Sequence, residues 1–391
     1  MKNKNIIVLG QQDWESAIGS NNINIAKEFA RNNKVIYVDN ALDRKTLHKL
    51  KDNILIKKKL AFVNKKEIGL EQVMPNLWVM YPSSIMESVN WLPEGMVYNF
   101  INKINNERLA KSIKKAAKEL QFDEYYLFND SLISKGLHLK ELLKPIKYIY
   151  YSRDNFSTQP YFQKHAIREE RELIAKADLV VANSGQLAQI AKKYNKNSHD
   201  IGQGCDLSLY DPSKTSIAPE MQKIPKPIIG YTGFLTSLRL DIQLIEHAAI
   251  SHTDWQIVLI GPEDDTFKAS NLHNLSNVHF LGNKNPNDLA DYIRAFDVTI
   301  NPQLVNELTR GNYPRKIDEY LAMGKPVIAT KTDFMTYFEA FCYLSTNKIN
   351  FVAMIEKALE EDNAERQQAR IAFAHTHSWE KNVEKIYELI D

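Results

Sequence analysis

Residues 301–330, NPQLVNELTRGNYPRKIDEYLAMGKPVIAT, concentrate the residue types that handle an anion. A strand is predicted to end at Asn301 and Pro302, a polar loop follows, and Pro314 suits the first turn of a helix. That helix is predicted over residues 315–323; it stops at Gly324, and Pro326 starts the next strand. Free backbone N–H groups at a helix start, with the helix dipole, attract negative charge. Arg315 and Lys316 add cationic side chains where a diphosphate would sit. Glu319, one turn on, is spaced to accept hydrogen bonds from a ribose diol. The plainer reading is a surface helix carrying Arg, Lys and Glu.

A second stretch, IYYSRDNFS at residues 149–157, reads as a strand followed at its carboxyl end by Asp154. A carboxylate there can take a hydroxyl proton during in-line attack, and a neighbouring Arg153 or Arg168 would favour its charged form. The alternative is a loop Asp capping the next helix. Gly233, at another strand end, would let the backbone approach phosphates, with Arg239 a few residues on. Asp13 and Asp130 are loop acids of the first half that bind sugar hydroxyls or serve as turn residues. Tyr292 lines a pocket or belongs to a core. His138 and His165 have no ligand partners at metal spacing and read as structural.

The elements that would position these residues alternate strand and helix. Residues 4–10 and 34–40 read as strands around a helix at 23–31, a βαβ opening that implies a parallel sheet. Further strands are predicted at 125–130, 147–152 and 177–184, and a basic amphipathic helix at 106–120. Residues 211–227 hold four prolines and no clear period, as an interdomain linker would. Alternation then restarts, with strands at 227–233, 255–261, 277–283, 297–302 and 325–330. The expected fold class is α/β, with two doubly wound domains: residues 1–210 and residues 228–376. A closing helix within residues 377–391 is expected to cross back to the first domain.

The chain's 391 residues and net charge of +2 hide an asymmetry. Residues 1–200 carry 32 Lys and Arg against 22 Asp and Glu, a charge of +10, and the remainder carries −8. The first half is thus suited to an anionic partner such as a membrane surface, a lipid diphosphate or nucleic acid. Trp91, Leu92, Met96, Val97, Phe100 and Ile101 stand beside Lys103, Arg108, Lys111, Lys114, Lys115 and Lys118. That pairing fits an interfacial helix, and it also fits a helix whose apolar face packs into the core. A nucleic-acid reading finds no recognition module. Two isolated cysteines, no apolar run long enough for a membrane span and no signal-peptide core lead to the expectation of a cytoplasmic protein, with peripheral membrane association left open.

The segment PRKIDEYLAMGKPVIAT is similar to the P-x-K-x-x-E-Y-x-A-x-G-x-P-V-V-A-T signature of bacterial GT-B glycosyltransferases. IIGYTGF, VLIGP, HFLGN, SWEKNV and AKADLVVANSGQLAQIAKKY extend the resemblance over most of the chain. It implies two Rossmann-like domains facing a central cleft, with the acceptor on the N-terminal one and a nucleotide sugar, UDP-linked by family weight, on the C-terminal one. It places Lys316 on the donor phosphates and Glu319 on the ribose. Gly282 and Asn283 would meet the base, and Gly233, Arg239, Tyr292, Asn312, Tyr313 and Arg315 complete the expected donor set. Asp13 and Asp130 are the expected acceptor contacts. No cofactor or metal is expected, since no D-x-D pair stands on a strand end. Many retaining members carry a second Glu where this chain has Gly311. IYYSRDNFS resembles the strand end of xanthan-type glucuronosyltransferases and a segment of teichuronic-acid-type transferases, which implies an inverting transfer with Asp154 as base. A retaining transferase, a nucleotide-sugar 2-epimerase and a non-catalytic nucleotide-sugar binder share the architecture and stand as alternatives.

Overall fold

The computed structural model describes residues 1–15, 20–50, 53–153, 164–306, 309 and 313–390. Asp154, Gly311 and Asn312 lie outside the described residues. The chain divides into two compact units, Met1–Gly204 with Trp379–Asp391, and Cys205–Ser378.

The first unit is built on eight strands: β1 (Asn5–Leu9), β2 (Lys34–Val38), β3 (Gly69–Met74), β4 (Leu77–Tyr81), β5 (Tyr126–Asp130), β6 (Tyr148–Ser152), β7 (Leu179–Ala182) and β8 (Ser198–Asp200). Their order is β3-β4-β2-β1-β5-β6-β7-β8. Among the described residues, only the β3–β4 hairpin is antiparallel. Continuous apolar runs bury both faces, as parallel sheets require. Ile7, Leu9, Ile36 and Leu127 face one core, and Ile6, Val8, Val35 and Phe128 face the other. The order reverses between β1 and β5, so the loops after them meet at a switch point, where such sheets bind ligands.

The second unit repeats the plan with six parallel strands: β9 (Ile228–Thr232), β10 (Gln256–Ile260), β11 (Val278–Gly282), β12 (Val298–Asn301), β13 (Val327–Thr330) and β14 (Tyr343–Ser345). Their order is β11-β10-β9-β12-β13-β14, so the switch point lies between β9 and β12.

Two boundaries differ from expectation. Residues 211–227 are no free linker: Ala218 and Met221, like Tyr210 just before them, pack into the second unit's core, and the Ala218 N–H donates to the Asp291 carbonyl at 3.3 Å. The prolines there shape a strap through a 3-10 turn, Pro219–Lys223. The basic helix starts ten residues earlier than its charge pattern indicates and runs Met96–Glu119. The β3–β4 hairpin, β8 and β14 carry too weak a pattern to be read from sequence.

The closing helix, Trp379–Ile390, buries Trp379, Val383, Ile386 and Ile390 in the first unit. Asn382 Nδ2 donates to the carbonyls of Ile201 and Gly202, at 3.0 and 2.8 Å. Ile386 is wholly buried, so Ile386→Ala is expected to cost about 2–5 kcal/mol in urea unfolding. Glu388→Ala, on the exposed face, should stay within about 0.5 kcal/mol.

Candidate functional site

In the second unit the loops after β9 and β12 are stitched together at the switch point. Asp241 N–H donates to the Pro302 carbonyl at 2.8 Å, and Leu304 N–H to the Arg239 carbonyl at 2.8 Å. Gly233 leaves β9 with φ +134°, and a Cβ there would lie 2.8 Å from the Lys316 Nζ. Gly261, after β10, has φ +147°, and its Cβ would fall 2.0 Å from the Gly233 carbonyl oxygen. Both positions need glycine, because backbone and ammonium share the space a methyl group would fill.

Lys316 opens the helix Lys316–Ala322. Its Nζ lies 3.9 Å from the Tyr231 ring centroid and donates to the Tyr231 hydroxyl. Burial lowers its pKa; Tyr320 and Glu319 act against this, and Arg239 adds to it. The Lys316 side chain is half-buried, and its ammonium is desolvated and satisfied by a phenol instead of a carboxylate, a state that an incoming anion would improve. Glu319 stands one turn along, also half-buried. Burial raises its pKa, against Arg315, Lys316 and a hydrogen bond from Tyr210 of the strap.

The backbone contribution differs from expectation. The N–H groups of Ile317, Asp318 and Glu319 already bond the carbonyls of Pro314 and Arg315, at 2.8, 3.0 and 3.3 Å. This short helix pairs its first-turn donors locally, so the positive charge at the site comes chiefly from side chains.

Behind the helix lies a network that sequence reasoning missed. The Tyr313 hydroxyl donates to Asp318 Oδ2 at 2.6 Å, and His377 Nδ1 is 2.7 Å from Asp318 Oδ1. His377 Nε2 is 2.9 Å from the Tyr337 hydroxyl. Burial raises the Asp318 pKa, while His377 and Tyr313 hold it down. Tyr313 is thus occupied as a support that locks the chain entering the helix. His377 lies 59 residues from Asp318, and no spacing rule links them.

Residues 226–359 match the family described as Glycosyl transferases group 1. Over 233 residues the chain is 27% identical to TuaH of Bacillus subtilis (strain 168), a protein named as a teichuronic acid biosynthesis glycosyltransferase; the alignment covers 56% of this chain and 58% of that one. The chain thus spans little more than half of that relative. HepE of Anabaena, solved with UDP, superposes with a TM-score of 0.65 at 16% identity, covering 99% of each chain. Sucrose-phosphate synthase of Thermosynechococcus elongatus gives 0.63 at 13%, covering 99% of this chain and 98% of that one. The resemblance to bacterial GT-B glycosyltransferases holds. Residues 226–359 of the second unit match that glycosyltransferase family, and the fold is that of GT-B.

Within that glycosyltransferase domain, Gly233, Arg239, Lys316 and Glu319 come together around the switch point. Arg315 is exposed at the helix start. Gly282 and Asn283 are exposed at the end of β11, with the Gly282 carbonyl accepting from the Gly261 N–H at 2.9 Å. Tyr292 is engaged elsewhere: its hydroxyl bonds Glu220 of the strap, and Lys284 Nζ lies 5.3 Å from its ring centroid. It fastens the strap, and nothing in its contacts marks a base pocket.

In the first unit, Asp130 ends β5 fully buried, 2.9 Å from the Arg153 guanidinium. It pairs with Arg153, whose Nη2 reaches Gln11 Oε1 at 3.2 Å. Asp13 is part-exposed and bonds the buried Lys59 ammonium at 2.6 Å. Lys59 also lies 3.4 Å from Asp39 at the end of β2. His138 and His165 are part- and fully buried, and His165 Nε2 is 3.0 Å from the Leu92 carbonyl.

Burial pushes the Asp39 carboxyl up to about 7, with Lys59 pulling it back. The folded protein then holds a proton that the unfolded chain releases near pH 4, so this group's stabilisation falls as pH rises from about 4 to 7. Asp39→Asn removes that term. Thermal melts at pH 5 and pH 8 should show the wild type's Tm losing ground to the variant at the higher pH; a constant difference would contradict the shift.

Proposed function

We propose that this chain is a glycosyltransferase moving a sugar from a nucleotide-linked donor, UDP-linked in the first instance, to a saccharide or lipid-linked saccharide acceptor in surface polysaccharide synthesis. The observation that carries the reading is the Lys316 ammonium beside Gly233 at the carboxyl ends of β9 and β12, held by a phenol in place of a carboxylate. The UDP in the HepE structure and the name of TuaH support a nucleotide-sugar donor and a cell-surface product.

In this reading the donor diphosphate meets Lys316 and Arg239, and the ribose diol donates to Glu319. The acceptor hydroxyl attacks the anomeric carbon from the face opposite the diphosphate and gives its proton to Asp154. The bond from that carbon to the diphosphate oxygen breaks, and the nucleoside diphosphate leaves with the electron pair. One in-line displacement inverts the anomeric configuration. Preorganised cations at the leaving group supply the electrostatic stabilisation, so no metal ion is required. EDTA is expected to leave turnover unchanged; loss on chelation with rescue by magnesium or manganese would contradict this.

Lys316→Ala should weaken UDP binding by about 1.5–3 kcal/mol, roughly 10- to 150-fold, in calorimetry. An unaltered affinity would remove the donor assignment. Asp154→Asn keeps shape and loses basicity, so turnover should fall about 100-fold or more with UDP affinity intact. Wild-type turnover in that variant, or a product retaining the donor's anomeric configuration by NMR, would overturn the inverting role.

A further inference from the structure

The helix Met96–Glu119 has two unlike faces. Leu109, Ala110, Ile113, Ala116 and Ala117 enter the first unit's core. At its start, however, large apolar side chains point away from the protein: Trp91 is 73% exposed, Met96 89%, Val97 64% and Phe100 66%. Four such residues within ten positions make a patch, where singly scattered ones would need no explanation. Beyond Phe100 the exposed side becomes mostly basic, with Lys103, Lys111, Lys114, Lys115 and Lys118 exposed against the exposed acids Glu107 and Glu119. Lys103, Lys111, Lys114 and Lys118 follow one another at helical spacing on the side that carries Met96 and Phe100.

The tip is rigidly mounted. Leu92 and Tyr98 are buried on either side of it. Tyr98 stacks on His165 with ring centroids 3.8 Å apart and donates to Glu169 Oε1 at 2.7 Å. Lys164 Nζ donates to the Trp91 carbonyl at 2.9 Å. A loop tied down by its backbone and by buried neighbours, yet presenting Trp and Met outward, is built to show them to something.

We propose that this tip and its lysine stripe dock the protein on an anionic lipid bilayer, with Trp91, Met96, Val97 and Phe100 among the acyl chains and the lysines at the headgroups. Lysine is depleted from protein–protein interfaces, whereas an apolar tip flanked by lysines matches an interfacial anchor on negative lipid. The +10 charge of residues 1–200 adds long-range attraction of the same sign. The inference does not depend on the transferase reading, because its test reads no sugar transfer.

The full chain is floated with phosphatidylcholine vesicles and with phosphatidylglycerol–phosphatidylcholine vesicles at moderate salt. Recovery is expected with the anionic vesicles and to fall with salt. Changing Lys103, Lys111 and Lys114 to Ala should weaken partitioning by about fivefold per lysine. Trp91→Ser with Met96→Ser and Phe100→Ser should abolish it while leaving Tm unchanged, since these side chains are exposed. As a readout independent of that variant's folding, a quencher on the lipid acyl chain should dim the wild type more than Trp91→Phe. Equal recovery with both vesicle types, none with either, wild-type partitioning in the tip variant, or equal quenching with and without Trp91 would overturn the proposal. So would a concentration-dependent dimer that the tip substitutions abolish, which would make the patch a contact between copies of this chain.

Discussion

A desolvated ammonium beside a glycine that cannot carry a side chain is the constraint around which the second unit is arranged. Lys316 reaches its place because β12 ends one position from β9, which brings the loops after both strands together. Gly233 and Gly261 give up side chains so that backbone, phenol and ammonium fit. The Asp318 network behind the helix then fixes the angle at which Lys316 and Glu319 face outward. A buried carboxylate without partners would be costly; Tyr313 and His377 satisfy it and so tie the helix to the chain just before Trp379.

The first unit treats its polar strand ends differently. Asp13, Asp39 and Asp130 all sit at or beyond carboxyl ends of parallel strands, and each has a cation of its own unit. Lys59 and Arg153 neutralise them, so this end of the sheet is polar and closely paired. Asp13, part-exposed, is the acid of the three best placed to meet a ligand. The basic surplus of this half lies instead on exposed helix faces, where it is open to larger anionic partners.

Strap and closing helix illustrate how composition misleads about boundaries. Four prolines in residues 211–227 suggest a segment without packing, yet proline removes only donors and helical freedom. Apolar Ala218 and Met221 still seek a core and find one in the second unit. The strap delivers Tyr210 to Glu319, and Tyr292 and Lys284 clasp Glu220, contacts that join residues 64 to 109 positions apart.

From sequence alone, the two α/β units, ten of the fourteen strands among the described residues and the pairing of Lys316 with Glu319 were legible. Strand runs buried on both faces and helices with 3.6-residue spacing leave a periodic trace, and i, i+3 neighbours share a helix face whatever surrounds them. Short edge strands leave little trace. Gly233 and Arg239 were singled out as strand-end residues, but their nearness to Lys316 follows from strand order, which no local pattern encodes. The same limit hid His377 behind Asp318 and turned Asp130 from an open acid into a buried one. Likewise, sequence set out the apolar and basic residues of 91–118, and only packing decided which of them the core takes, Leu92 and Tyr98, and which it leaves outside, Trp91, Met96 and Phe100. Local propensity depends on near neighbours in the chain; burial depends on which distant segments arrive to cover a side chain, and that is settled only when the sheets assemble.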